Sequence, residues 1–137
     1  NRAAGVPSLT TSVGRGQPDR HFVSIRACGG PATVRALVDG TVTAAHTFST
    51  SPAIGQNNLV VLADPKNNFP AGNVVPLVAS AKKSTDLKRV LDAVSAALTT
   101  EALIGLNGSV SGNSGVDPDE AARKWLADNG LDKPIGG

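Results

Sequence analysis

The sequence predicts an α/β chain, on three observations. Over residues 1–80, segments with the period-two alternation of strands take turns with a segment of helical character. Over residues 84–131, apolar side chains recur at three- and four-residue spacing, the stripe of amphipathic helices. Gly and Pro, 15 and 9 of the 137 residues, fall largely between these segments and punctuate them.

Each element has its own reason. Residues 1–20 are rich in Gly, Pro, Ser and Thr and read as a short helix or loop around 6–13, then a turn at Gly14-Arg15-Gly16-Gln17-Pro18. His21-Phe22-Val23-Ser24-Ile25-Arg26-Ala27-Cys28 alternates apolar and polar, which predicts a half-buried strand. Gly29-Gly30-Pro31 ends it and opens a short helix over 32–38, with Pro31 in the first turn, where its missing N–H is no loss. Asp39-Gly40 closes that helix. A second strand is expected over 41–48, then a polar loop over 49–58. Leu59-Val60-Val61-Leu62 is short and wholly apolar, the pattern of a buried strand. Asp64-Pro65, Asn67-Asn68 and Phe69-Pro70 make 63–72 a loop. Residues 73–79 predict a further strand, and Pro76 puts it at an edge or a gap in the ladder, because proline has no N–H to donate.

The remainder is helical. Leu87, Val90, Leu91, Val94, Ala97 and Leu98 form one apolar stripe on a helix entered near Ser84. Thr99-Thr100-Glu101 starts a second helix, with Ala102, Leu103 and Leu106 facing inward, and 108–115 is a Gly/Ser/Asn loop. Asp117-Pro118-Asp119-Glu120 predicts a third start: Asp117 caps, Pro118 takes the first position, and Glu120 reaches back in a capping box. Ala121, Ala122, Trp125 and Leu126 are its expected buried face, and Asn129-Gly130 its left-handed stop.

Composition narrows the function classes. Hydrophobic residues at 40% against charged residues at 18% favour a packed chain over a disordered one. Thirteen Lys and Arg against eleven Asp and Glu leave a formal net charge of +2, with cations adjacent in pairs such as Lys82-Lys83 and Lys88-Arg89 and in no longer run. With aromatics at 3% and no Tyr, the basic patch and stacking platforms of a nucleic-acid binder are missing. A single cysteine, Cys28, excludes an intrachain disulfide and a multi-cysteine zinc site. No apolar run reaches the length of a membrane span, and no signal peptide opens the chain. Asn1 in place of an initiator Met reads as a processed or truncated product.

Catalytic patterns are thin. Cys28 and His46 are the one nucleophile-and-base combination, and they stand as the alternative reading, a small hydrolase or transferase. The plainer reading is a strand cysteine and an unrelated histidine. His21 and His46 lack metal-ligand spacing, and Gly14-Arg15-Gly16 has neither the third glycine nor the preceding strand of a nucleotide loop. Asp117, Asp119 and Glu120 cluster where carboxylates favour a helix N-terminus, and Trp125 sits at a packing position. Asn107-Gly108-Ser109 matches the glycosylation pattern, which is common by chance.

Several segments, in order, resemble one family. They are Gly29-Gly30-Pro31-Ala32-Thr33-Val34-Arg35-Ala36-Leu37-Val38-Asp39-Gly40 and residues 42–54, then Leu59-Val60-Val61-Leu62-Ala63-Asp64-Pro65-Lys66-Asn67-Asn68-Phe69-Pro70 with Asn73-Val74-Val75-Pro76-Leu77. The tail adds Leu98-Thr99-Thr100-Glu101-Ala102-Leu103, Leu106-Asn107, Asp117-Pro118-Asp119-Glu120-Ala121-Ala122, Trp125-Leu126 and Asn129-Gly130-Leu131. Together they resemble substrate-binding proteins of osmoprotectant ABC importers, the glycine betaine, carnitine and choline binders of the ProX/OpuAC type, with an actinobacterial flavour.

The resemblance implies a type II periplasmic-binding-protein fold, represented by its C-terminal portion: 1–50 the end of one lobe, 51–75 a crossing segment and 76–137 the C-terminal part of the other lobe. It implies a non-enzymatic, extracytoplasmic protein, at the periplasm or the outer face of the membrane, that traps a quaternary amine or related solute between lobes and delivers it to an ABC permease. It implies no cofactor and no nucleic acid, and membrane attachment only through a lipid anchor outside this chain. The ligand residues expected on this basis are His46, Thr47, Phe48, Ser49, Thr50 and Ser51, with Gly72 and Asn73 after the proline loop. Phe69 is expected to pack at a hinge. Two departures bear on the ligand: Gly72 stands where related binders often carry Tyr, and Ser51 where the family pattern has an acid. Both predict a less cationic or bulkier ligand than glycine betaine.

Overall fold

The computed structural model describes residues 29–113 and 115–133. The expected helix or loop at 6–13, the turn at 14–18 and the strand at 21–28, with Cys28, lie outside them. The chain divides into two units. The first is described over 29–46 and 60–74, the second over 47–59, 75–113 and 115–133.

In the first unit, α1 spans Pro31–Val38, with Pro31 in its first turn as expected. Asp39 caps it and Gly40, at φ +71°, turns the chain in the left-handed region that a Cβ disfavours. Thr33, 7% exposed, is its buried residue. The rest of this unit is loop among the described residues. Its firmest feature is a turn in which the Asn67 N–H donates to the Asp64 carbonyl (3.1 Å), with Pro65 pre-set for the first central position.

The second unit is helical. After a short α2, Ala53–Gln56, Asn58 takes φ +51° and the Leu59 N–H donates back to the Ile54 carbonyl (2.9 Å), a Schellman stop. A 3-10 turn, Ser80–Lys82, leads to α3, Thr85–Ala97. Ser84 caps α3 by accepting the Leu87 N–H (3.1 Å). Thr99 does the same for α4, Thr100–Ser109, accepting the Ala102 N–H (3.2 Å). For α5, Pro118–Asp128, Asp117 accepts the Asp119 N–H (2.8 Å). Its end is a second Schellman stop: the Gly130 N–H reaches the Ala127 carbonyl and the Leu131 N–H the Leu126 carbonyl, with Gly130 at φ +68°. Helices α4 and α5 lie against each other.

Several expectations change, among them the polar loop expected over 49–58, which carries α2. No strand occurs among the described residues, so the runs at 41–48, 59–62 and 73–79 stand as irregular backbone. A helix closes its hydrogen bonds within itself, whereas a strand exists only beside another strand. Val60 is accordingly 83% exposed and Leu77 99%. The apolar stripe of α3 is half-buried at Leu87, Leu91, Val94 and Ala97, and Val90 is exposed. On α5, Ala121 (7% exposed) is buried, Trp125 and Leu126 are half-buried, and Ala122 faces solvent, one position round the helix from the covered stripe. Among the described residues, no single helix is long and apolar enough to cross a membrane.

Candidate functional site

The expected ligand residues fall into two groups, one in each unit. His46, Gly72 and Asn73 belong to the first unit, Thr47 to Ser51 to the second.

In the first unit, the ring of His46 stacks on Phe69, centroids 5.4 Å apart and planes inclined by 24°. The 64–69 turn places that phenyl ring. Asp64 Oδ2 accepts the Phe69 N–H at 2.7 Å, and Asn67 bends the chain at φ +49°. The N–H groups of Phe69, then of Asn68 and Lys66, hold the Asp64 carboxyl below its ordinary pKa of 3.8, because a carboxylate accepts hydrogen bonds better than the neutral acid. Gly72 is exposed, and a Cβ built on it meets nothing within 4 Å. Asn73 is exposed as well. The geometry thus offers a two-ring platform and, three residues beyond Phe69, open space.

In the second unit, Thr47 to Ser51 form a turn that leads into α2. The Ser51 N–H donates to the Phe48 carbonyl (3.0 Å), and the Ile54 N–H to the Ser51 carbonyl (3.3 Å). Phe48 is 60% exposed and Ser49 is exposed, while Thr47, Thr50 and Ser51 are half-buried. From α4, Asn107 Nδ2 donates to the Thr50 carbonyl at 3.0 Å. The turn therefore presents hydroxyls and one phenyl ring, with no formal charge on any of its side chains.

Two residues of these clusters escaped the sequence reading in the roles they hold. Phe69 was assigned to hinge packing, and the structure makes it the stacking partner of His46; 23 positions separate them, and no periodicity links them. Asn107 carries a glycosylation pattern and part of the family resemblance in the sequence, neither of which points to its side chain reaching a carbonyl 57 residues away. Asp64 was legible as turn chemistry, because Asp before Pro is a turn opener. The alternative pairing of Cys28 with His46 rests on a residue outside the described ones. Among the described residues, no group of three or more His, Cys, Asp or Glu is placed to hold a metal ion.

Comparison with known proteins adds one match. Neither a curated protein nor a solved structure gives a significant match to the chain. A family model does, over residues 8–128 of the 137: the substrate-binding domain of ABC-type glycine betaine transport systems. The match spans the segments that carried the resemblance up to Trp125-Leu126, and the chain belongs to this OpuAC family of substrate-binding domains.

Proposed function

We propose that the chain is the solute-binding part of an ABC importer for compatible solutes of the glycine betaine class, holding its solute without altering it and handing it to the permease outside the cytoplasm. The family match over residues 8–128 carries the reading. The fold that goes with it is the two-lobed α/β arrangement of type II periplasmic binding proteins.

The ligand contacts come from His46, Thr47, Phe48, Ser49, Thr50, Ser51, Gly72 and Asn73. A quaternary ammonium has no N–H to donate, so aromatic faces are its natural partners, at about 0.5–1 kcal/mol for each exposed contact and about 2 when desolvated. The His46 and Phe69 rings supply a platform in the first unit, and hydroxyls and backbone N–H groups of the 47–51 turn suit a carboxylate. The open space at Gly72 leaves out one ring and Ser51 supplies no counter-charge, which shifts preference towards a less cationic or bulkier solute than glycine betaine. Carnitine and choline remain members of the class.

Calorimetric titration with glycine betaine, choline, carnitine and a set of compatible solutes without a quaternary nitrogen tests this, with mass analysis of the recovered solute. Saturable binding of at least one solute, returned intact, is the expected result, with glycine betaine, choline and carnitine weaker than micromolar. Micromolar affinity for any of those three keeps the class and defeats the shifted preference. No binding across the set, or conversion of any member, overturns the function.

A further inference from the structure

The 47–51 turn is held from outside itself by the side chain of Asn107. The neighbouring side-chain bonds at the end of α4 are local: Ser109 Oγ donates to the Leu106 carbonyl (2.8 Å), and Ser111 Oγ, just past the helix, to the Asn107 carbonyl. Asn107 Nδ2 instead crosses 57 positions to the Thr50 carbonyl, 3.0 Å away and partly buried. The next residue, Gly108, brings the helix close to the same segment, since a Cβ on it would stand 3.6 Å from the Pro52 Cβ.

Because the Thr50–Ser51 peptide is a rigid plane, fixing its two polar ends fixes its orientation. Its carbonyl is held by Asn107, and its N–H by the Phe48 carbonyl (3.0 Å). Further along, the Ile54 to Ser51 and Leu59 to Ile54 bonds tie the turn to α2 and its stop, so residues 48–59 move as a braced piece. Within the turn Phe48 is 60% exposed and Ser49 is in solvent, while Thr47, Thr50 and Ser51 are half-buried.

We propose that Asn107 is a positioning residue for solute binding: without touching the solute, it sets affinity by fixing the Thr50–Ser51 peptide and with it the direction in which Ser49, Thr50 and Ser51 face. This rests on the reading that the 47–51 turn contacts the solute. Asn107→Leu keeps the bulk and removes the donor. Asn107→Gln keeps a donor on a longer arm. Asn107→Asp turns an acceptor towards an acceptor.

The test measures amide hydrogen exchange at Ser51, Ile54 and Leu59, with Leu131 at the α5 stop as internal control, together with affinity for glycine betaine titrated to millimolar concentration. One hydrogen bond of ordinary strength corresponds to roughly tenfold. Asn107→Leu and Asn107→Asp are expected to speed exchange in the turn by roughly that factor, leave Leu131 unchanged and weaken glycine betaine binding by a similar factor, with Asn107→Gln recovering part of both. A variant that merely damaged the fold would raise exchange at Leu131 too and would not be rescued by Gln. Unchanged exchange in the turn overturns the proposal, and so does faster exchange with unchanged affinity. If the native chain binds no glycine betaine, the positioning role falls with the site; faster exchange in Asn107→Leu would then place the fault in the site reading and not in the hydrogen bond.

Discussion

Residues 84–131 and residues 59–79 are both rich in Leu, Val and Ala, yet one region carries three capped helices and the other no regular element. The difference lies in where each kind of structure finds its hydrogen bonds. Ser84, Thr99 and Asp117 each satisfy an N–H within three positions, and Gly130 ends α5 within four of its own carbonyls. Everything those helices need is encoded beside them. A run such as Leu59-Val60-Val61-Leu62 needs a second backbone alongside, and its side chains stay in water without one. Local code is complete in the tail and incomplete in the middle of the chain.

The widest expected contrast is between Ala121 and Leu77. An Asp at position 121 puts an unpaired charge where the present side chain is 7% exposed, and should cost about 3 kcal/mol or more. An Asp at position 77, where Leu is 99% exposed, should stay within about 0.5 kcal/mol. Urea denaturation followed by helical ellipticity reads both. A comparable loss in Leu77→Asp would mean that 73–79 is covered, and the contrast between the two regions would be broken.

Cap removal sharpens the same comparison at a smaller scale. Ser84→Ala and Asp117→Ala each take away an oxygen that accepts an orphan N–H, and each should lower stability by about 1 kcal/mol. Replacing Asn73 with Ala, in the region without a helix to cap, should change almost nothing. If the two caps prove as silent as Asn73, the helices draw their stability from packing instead of from their ends.

Gly72→Tyr tests the middle region by what it can accept. Nothing lies within 4 Å of the Cβ, so stability should hold, while a new aromatic face should tighten glycine betaine binding by about 1 kcal/mol, roughly fivefold. Unchanged stability without a gain in affinity would take Gly72 out of the ligand contacts.

This contrast also explains how much could be read in advance. The starts at Ser84, Thr99 and Asp117, the first-turn Pro31 and the stops at Gly40 and Gly130 were all legible, because each rests on a residue type at a fixed offset. Depth of burial was not: Ala122 and Val90 carry the apolar pattern yet face solvent, since the stripe says which side is apolar and not how much of it a neighbour covers. In the candidate site, the polar loop from Ser49 and the Asp64 turn followed from local chemistry, whereas Thr47 and Phe48 were expected at the end of a strand. The Phe69 ring on His46 and the reach of Asn107 to Thr50 join positions 23 and 57 apart, and no offset in the sequence announces either.

The smallest effect is confined to one turn and follows from the sign of a titration. The Asp64 carboxyl sits below its ordinary value of 3.8, chiefly through the Phe69 N–H, so the ionised form is the one the folded turn prefers. Its contribution is therefore fully present above that value and is lost as pH falls through the lower, folded one. Acid should loosen the 64–69 turn before α3 and α5 respond, and the stack of Phe69 on His46 should loosen with it, because the phenyl ring is placed by the same N–H that the carboxylate holds. In Asp64→Asn the acid response of the turn should vanish, since an amide does not titrate in this range. Proton NMR of the Phe69 and His46 rings between pH 5 and pH 2 reads the change directly, and a ring shift that persists in Asp64→Asn would assign the acid sensitivity to another group.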